Sequence, residues 1–387
     1  MKYSGLILFI VVLLAACNQH MDTSNSNKAA FITYLGNDTL AVEQFKKNEN
    51  EITADVILRS PATRFSSYEL TLSASGGIES MTRTDFPPDE GFDGTGTVVQ
   101  TVKKQGDSLM VETQTSEGSR SYSVSYEPGV LPFIDMVHWP YELALNHAAE
   151  AGQDTVNQPL LTGNRLSDFI IADLGTDSMT IRHPYRGVMG VQVDENGNLL
   201  FLDAGLTTRK LKVHRLTSVD MDAISEAFAA NVRSGKSFGQ LSSAEKRTFT
   251  FRGADFRVEY GSPQKRGREL FGNVVPWGER WRTGANRATH FYTSADLTIG
   301  DLEIPAGEYT LFTIPEPDGG TLLINKQTGQ NGRTYDEAWD LGRVPMQIAK
   351  QDSVTEAFTI ALEESDTGGV LNIIWGQTVF SVDFTVQ

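Results

Sequence analysis

The feature that most limits what this chain can fold into is a two-residue rhythm. In the run 379–386, Phe380, Val382, Phe384 and Val386 alternate with Ser381, Asp383 and Thr385. Successive side chains on a strand point to opposite faces, so such a run buries one face and wets the other. Partial alternation recurs at 53–58 (TADVIL), 68–72 (YELTL) and 121–126 (SYSVSY). Gly36-Asn37-Asp38, Ser75-Gly76-Gly77, Gly106-Asp107 and Asn196-Gly197 supply turn residues between the runs. The stretch 191–202 reads as a hairpin, because Asn-Gly accepts the positive φ that a tight hairpin turn needs.

Two segments break the rhythm and predict short helices. Segment 140–151 (PYELALNHAAEA) opens with Pro, which fits a first helical position. Segment 218–232 places Met221, Ile224 and Phe228 on one face, with Ser218 as its expected N-cap. At 387 residues the chain calls for two domains. The expected fold is all-β with two short helices. Residues 29–232 form an antiparallel β-meander or half-barrel, 233–247 a polar linker, and 248–387 a β-sandwich. The strand–turn–strand stretches 68–81 and 191–202 are similar to hairpins in open half-barrels of envelope proteins that shelter acyl chains.

The N-terminus predicts an address. Lys2 precedes the apolar run 6–14 (LILFIVVLL), which has the length of a signal-peptide core and is short for a spanning helix. Leu14-Ala15-Ala16-Cys17 follows and resembles the bacterial lipobox. On that resemblance residues 1–16 are a cleaved signal and Cys17 carries the lipid. Residues 17–28 (CNQHMDTSNSNK) are then the lipidated Cys and a polar tether. Two or three acyl chains anchor stably where one does so only marginally. Asn18 does not match the Asp that retains some lipoproteins in the inner membrane. The expected location is the outer membrane, facing the periplasm, with the lipid as the link to the membrane.

Composition narrows the function. Lys and Arg number 33 against 49 Asp and Glu, a net charge of −16, which argues against nucleic acid as a partner. The single Cys excludes an intramolecular disulfide and a Cys-based zinc site. Residues 230–237 (ANVRSGKS) loosely match a phosphate-binding loop, and 235–239 (GKSFG) match G-x-S-x-G. Both follow a helix rather than a strand, so neither predicts its chemistry. Residues 194–198 (DENGN) lack the spacing of a calcium loop. His147 and Glu150, with His138, are a weak metal set that surface polarity explains as well. His183 lies in a polar stretch, 182–186 (RHPYR). No metal and no cofactor is expected, and the oligomeric state is not legible.

The C-terminal loops carry a family signature. Segment 267–272 (GRELFG) leads to 281–289 (WRTGANRAT), then to 304–312 (IPAGEYTLF) and 340–344 (DLGRV). This resembles the DUF2911 family, common in Bacteroidetes-type bacteria, over residues 249–387. One departure is Gly319-Gly320-Thr321, where members often carry a Trp. The family name implies a fold and no reaction.

Within that signature Arg268, Arg282 and Arg343 are planar cations suited to carboxylate or phosphate. Trp277 and Trp281 offer flat apolar faces, and Asn286 both donates and accepts. Arg268, Trp281, Arg282, Asn286, Asp340 and Arg343 are therefore the candidate ligand-binding residues. The competing reading is structural, with Asp336 and Asp340 clamping the arginines. The leading functional expectation is a noncatalytic envelope lipoprotein that binds a glycan or another small polar or anionic ligand. One alternative is an envelope hydrolase using His290 or Asp340 as acid/base, although no nucleophile–base pair is legible and catalytic residues stay unassigned. The other is an acyl-chain carrier built on the N-terminal domain.

Overall fold

The computed structural model describes residues 28–387. Cys17 and the expected signal segment lie outside the described residues.

Fifteen strands between Lys28 and Leu216 form one continuous sheet, and nearly every strand pairs with its sequence neighbour. The first meander runs from Lys28–Leu35 to Gly118–Ser125. A second runs from Thr155–Thr162 to Lys212–Leu216. Its last strand returns to pair antiparallel with Lys28–Leu35, which welds the two meanders together. The strand order has a free edge at each end, so the sheet does not close.

The first helix, α1 (Trp139–Ala151), lies inside this curved sheet. Trp139 and Leu145 are fully buried, and Leu143, Ala144 and Ala148 are nearly so. They share one core with Phe31, Leu40, Ile52, Phe169 and Leu202 of the strands. A helix surrounded by strands must satisfy its first backbone N–H groups without water. Glu43, itself fully buried, does this from a neighbouring strand. Its Oε2 accepts from the His138 and Trp139 amides at 2.7 and 2.9 Å. Its Oε1 lies 3.0 Å from His138 Nδ1, which also contacts Thr33 Oγ1 at 3.1 Å. One turn on, Glu142 accepts from the Leu199 amide at 3.0 Å and pairs with Arg215 at 2.5 Å. Burial raises the Glu142 carboxyl above its usual range, and the Arg215 charge opposes that shift. An acyl-chain carrier would need this interior open, and α1 occupies it.

The second helix, α2 (Met221–Arg233), covers the outer face of the same sheet. Met221 and Ala229 pack there against Val42, Ile57 and Phe65. Its N-cap is Asp220, whose side chain accepts from the Ala223 amide, rather than the expected Ser218. Asp and Ser cap equally well, so propensity alone does not choose between them.

The second domain begins earlier than expected. Ser242–Phe251 is a strand, paired residue by residue with Ala254–Pro263, so it lies partly within the 233–247 segment expected as linker. It is the edge of its sheet, four of its ten residues are exposed and none is buried, which makes its composition resemble a linker. Nine strands make up this domain. The 25-residue strand Asp340–Glu364 serves both layers. It pairs first with Gly319–Asn325 and then with Gly368–Val386, with register shifts between Lys350 and Thr359. Phe256, Phe358, Trp375, Phe380 and Phe384 fill the space between the layers.

The domains meet at a defined joint. The Gly36-Asn37-Asp38 turn abuts 266–268: the Asn37 amide donates to the Arg266 carbonyl at 2.9 Å, and Arg266 pairs with Asp38 at 2.7 Å. The Arg266 guanidinium also lies 3.8 Å from the centre of the Phe238 ring. A Cβ on Gly36 would fall 2.0 Å from the Arg266 carbonyl oxygen, and the φ of Gly36 is +62°, so only glycine fits. A second strut runs from the Arg333 guanidinium to the Tyr185 carbonyl.

Candidate functional site

Between these two struts lies a cleft of about 990 Å³, walled by both domains. Arg268, Trp281, Arg282 and Asn286, four of the six candidate residues, line it. Asp340 and Arg343 do not. Asp340 accepts from Asn325, from the Tyr335 hydroxyl at 2.7 Å and from Arg343 at 3.0 Å. Arg343 also pairs with Glu337 at 2.6 Å. That network ties the 335–340 loop to the sheet. Its carboxylate raises the Tyr335 phenol to about 12, together with the larger effect of burial.

The loop that presents Arg282 and Asn286 is held in a sparsely populated conformation. Thr283 has φ +53° and Asn286 φ +62°. A buried β-branched residue at positive φ is a genuine outlier, and it persists only where its surroundings impose it. Here the Trp281 backbone forms a two-way bridge with Thr313 at 2.7 and 2.9 Å. Thr283 Oγ1 donates to Thr313 Oγ1 at 3.1 Å, and its carbonyl accepts from Thr289 Oγ1 at 2.7 Å. The Ala285 amide donates to the Gly261 carbonyl at 3.0 Å. Arg282 lies over Gly332, where a Cβ would come within 2.4 Å of its Cδ. Thus the glycine opposite, not a carboxylate, positions Arg282.

The N-terminal domain contributes the facing wall with Asp135, Arg186, Arg209 and Lys210. Asp135 pairs with both Arg186 and Arg209, the latter at 2.5 Å. Burial pushes the Asp135 carboxyl up, but those two guanidinia together hold it below its usual value. The lining cations are Arg186, Arg209, Lys210, Arg268, Arg282 and Arg333, and Asp135 is the acid among them. In a chain of net charge −16 this is a local reversal of sign. Among the described residues, Lys210, Arg268, Arg282 and Arg333 have no carboxylate within 4.0 Å. Arg268 donates to the Gln264 and Lys265 carbonyls, Arg282 to the Asn286 carbonyl at 3.4 Å, and Lys210 to the Gly205 carbonyl at 2.9 Å. Burial is the main cause that lowers the pKa of all three. Like charge adds to it: Arg268 beside Lys210, Arg266 beside Arg268 and Arg333 beside Arg282. Such a cluster gains most from an incoming anion.

The remaining sequence candidates fall elsewhere. Trp281 stacks on Trp375 (centroids 6.1 Å apart, interplanar angle 9°) and meets Phe358 edge-on, so the core already takes up one face. Trp277 stacks on Phe271. His290 is buried, with Nδ1 2.9 Å from the Ala288 carbonyl and Nε2 accepting from the Gly329 amide at 2.8 Å. Both ring nitrogens are engaged, which leaves neither to serve a substrate. His183 packs on Phe133 and Phe169 beneath the cleft. Burial first, and the Arg186 charge second, lower it to about 4. Among the described residues no three His, Cys, Asp or Glu side chains converge as a metal set. Residues 230–237 run off the end of α2 into a turn. Asp194 closes its own hairpin loop by accepting from the Asn196 and Asn198 amides, both at 2.9 Å.

Sequence reasoning missed Asp135, Arg186, Arg209, Lys210 and Arg333. The 182–186 stretch stood out for its histidine, and the residues that reach the cleft are its Tyr185 and Arg186.

The molecule is a mostly β protein of two sheets. Residues 242–384, the span of the C-terminal domain, match the family "Protein of unknown function (DUF2911)". No curated protein matches the chain. One similar solved structure is the crystal structure of a beta-barrel-like protein of domain of unknown function DUF1849 from Brucella abortus. It is 13% identical, with a TM-score of 0.32, and the match covers 49% of this chain and 94% of that one.

Proposed function

We propose that this protein is a cell-envelope lipoprotein, lipidated at Cys17, whose interdomain cleft binds an anionic polar ligand such as an acidic glycan. The observation that carries the reading is the set of four cleft cations without a carboxylate partner, in a chain that is otherwise acidic. Preorganised guanidinia held by backbone carbonyls and by a strained loop lose little freedom when an oxyanion arrives. The role is binding rather than catalysis. The cleft's carboxylate, Asp135, is kept ionised between two arginines, and His290 has no free nitrogen.

The cleft lies at the far end of the first strand from Lys28. The strand Lys28–Leu35 starts where the tether ends, and Leu35 lines the cleft. At about 3.3 Å per residue the strand puts roughly 23 Å between the two points.

Thermal-shift titration with sulfated or phosphorylated glycans and with peptidoglycan fragments tests the ligand class. Anionic members should stabilise the protein and their neutral counterparts should not. Arg268→Ala and Arg282→Ala should each weaken the effect. Equal behaviour of charged and neutral ligands, or undiminished binding in both variants, refutes the reading. Membrane fractionation of Cys17→Ala, with globomycin treatment of the parent, tests the address: unchanged membrane association in the variant contradicts it.

A further inference from the structure

The cleft cations fall into pairs, and one pair is already filled. Arg186 and Arg209 grip a single carboxylate, Asp135, between them. That is what two cations in this cleft do with one oxyanion. Two more pairs have no carboxylate in ion-pair contact among the described residues; Asp203 and Glu279 act on Lys210, and Glu356 on Arg268, only at longer range. Lys210 and Arg268 line the same cleft from the two domains, and the Arg268 charge is felt at Lys210. Arg282 and Arg333 form the second pair, brought together where the 281–287 loop meets 331–333. There Arg287 bridges Asn331, and the Gly332 amide donates to the Asn286 carbonyl at 3.2 Å.

The pairs are separately anchored. Arg268 is fixed by the carbonyls of its own turn against Gly36. Arg282 is fixed by Gly332, and Arg333 by the Tyr185 carbonyl of the other domain. The segment 269–281, which joins the two anchors, contributes Val274, Val275 and Trp281 to the lining. Apolar surface between cationic pairs suits a carbon skeleton and repels a third charge.

From this arrangement we infer that the ligand is a bis-anion: a small molecule with two oxyanion groups, one held by Lys210 and Arg268, the other by Arg282 and Arg333. The inference rests on the anion-binding reading and adds the number and placement of charges. Because each subsite is built from separate segments, and the first draws on both domains, a bis-anion also cross-links the domains. Carboxylate and phosphate share the needed chemistry.

Isothermal titration of the full mature chain with two matched probe sets tests the inference. One set is fructose 6-phosphate against fructose 1,6-bisphosphate, and the other is hexanoate against adipate. In at least one set the bis-anion should bind roughly tenfold to hundredfold tighter than its mono-anionic partner, and the set that responds names the oxyanion. Lys210→Met and Arg282→Met should each erase that advantage while the circular dichroism spectrum stays that of the parent. Arg343→Met, outside the cleft, should leave it intact. If mono- and bis-anions bind equally, the two-subsite inference is wrong while the anion-binding reading stands. If none of the four probes binds, both are wrong.

Discussion

Truncation of Glu43 to alanine probes how the N-terminal domain holds a helix inside a sheet. The carboxyl is fully buried and is the acceptor for two backbone amides, His138 N at 2.7 Å and Trp139 N at 2.9 Å. Alanine leaves both donors without a partner in a space that water does not reach. Each orphaned buried amide costs about 1–3 kcal/mol, so the pair costs about 2–6 kcal/mol. Loss of the acidic group at the positive end of α1 adds to that. At about 2–4 °C per kcal/mol for a domain of this size, the N-terminal melting transition should fall by roughly 5–20 °C. Glu43→Gln keeps an acceptor oxygen of the same shape and should fall by less than half as much. Thermal and urea denaturation followed by far-UV circular dichroism measures both variants. If Glu43→Ala melts within 2 °C of the parent (about 0.5–1 kcal/mol), the amides have another partner and this account of α1 is wrong.

Three further outcomes follow from named contacts. Gly332→Ala places a Cβ 2.4 Å from Arg282 Cδ and 2.8 Å from the Asn286 carbonyl oxygen, so it should displace Arg282 and lower anion affinity about tenfold or more; parental affinity in calorimetry would show that Gly332 does not position Arg282. His183 is lowered from 6.5 to about 4 by burial and then by Arg186. The unfolded chain therefore takes up this proton first as pH falls, so stability should decline between pH 6.5 and 4, by up to roughly 3 kcal/mol, and level off below. In urea denaturation at stepped pH, His183→Phe should flatten part of that slope, and an unchanged slope would contradict the assignment. Arg343→Ala breaks the network with Asp340 and Glu337 and should loosen the 335–340 loop to proteolysis without changing ligand affinity; a large loss of affinity would return Arg343 to the binding site.

Local pattern reached the class of fold and stopped at the arrangement. Alternation such as Phe380 to Val386 specifies a strand with one buried face, and Pro140 marked the start of α1 within one residue. Nothing in that alternation says that α1 lies inside the sheet. That depends on Glu43, nearly a hundred residues away, supplying the acceptor that water would otherwise provide. Ser242–Phe251 was hidden because an edge strand is wet enough to resemble a linker.

The site was half legible for a related reason. Arg268, Arg282 and Asn286 stand in one local signature, and they do share the cleft. Arg343 carries the same chemistry in the same signature, yet Asp340 and Glu337 take it up. Side-chain type does not distinguish a clamp from a ligand; the partner does, and the partner is a property of the fold. Arg186, Arg209 and Lys210 come from loops of the other domain and become neighbours of Arg268 only through the joint between Gly36 and Arg266. Lipidation at Cys17 is a separate matter of local sequence and stands on the lipobox resemblance alone.

The most direct test of the central claim is a crystal of the protein soaked in selenate, with the anion located by its anomalous signal. The account predicts a selenium peak within the interdomain cleft, in hydrogen-bond reach of the Arg282 or Arg268 guanidinium, and loss of the corresponding peak in Arg282→Ala or Arg268→Ala crystals. Selenate bound on the outer surface while the cleft stays empty, or a cleft peak that survives both substitutions, would contradict it.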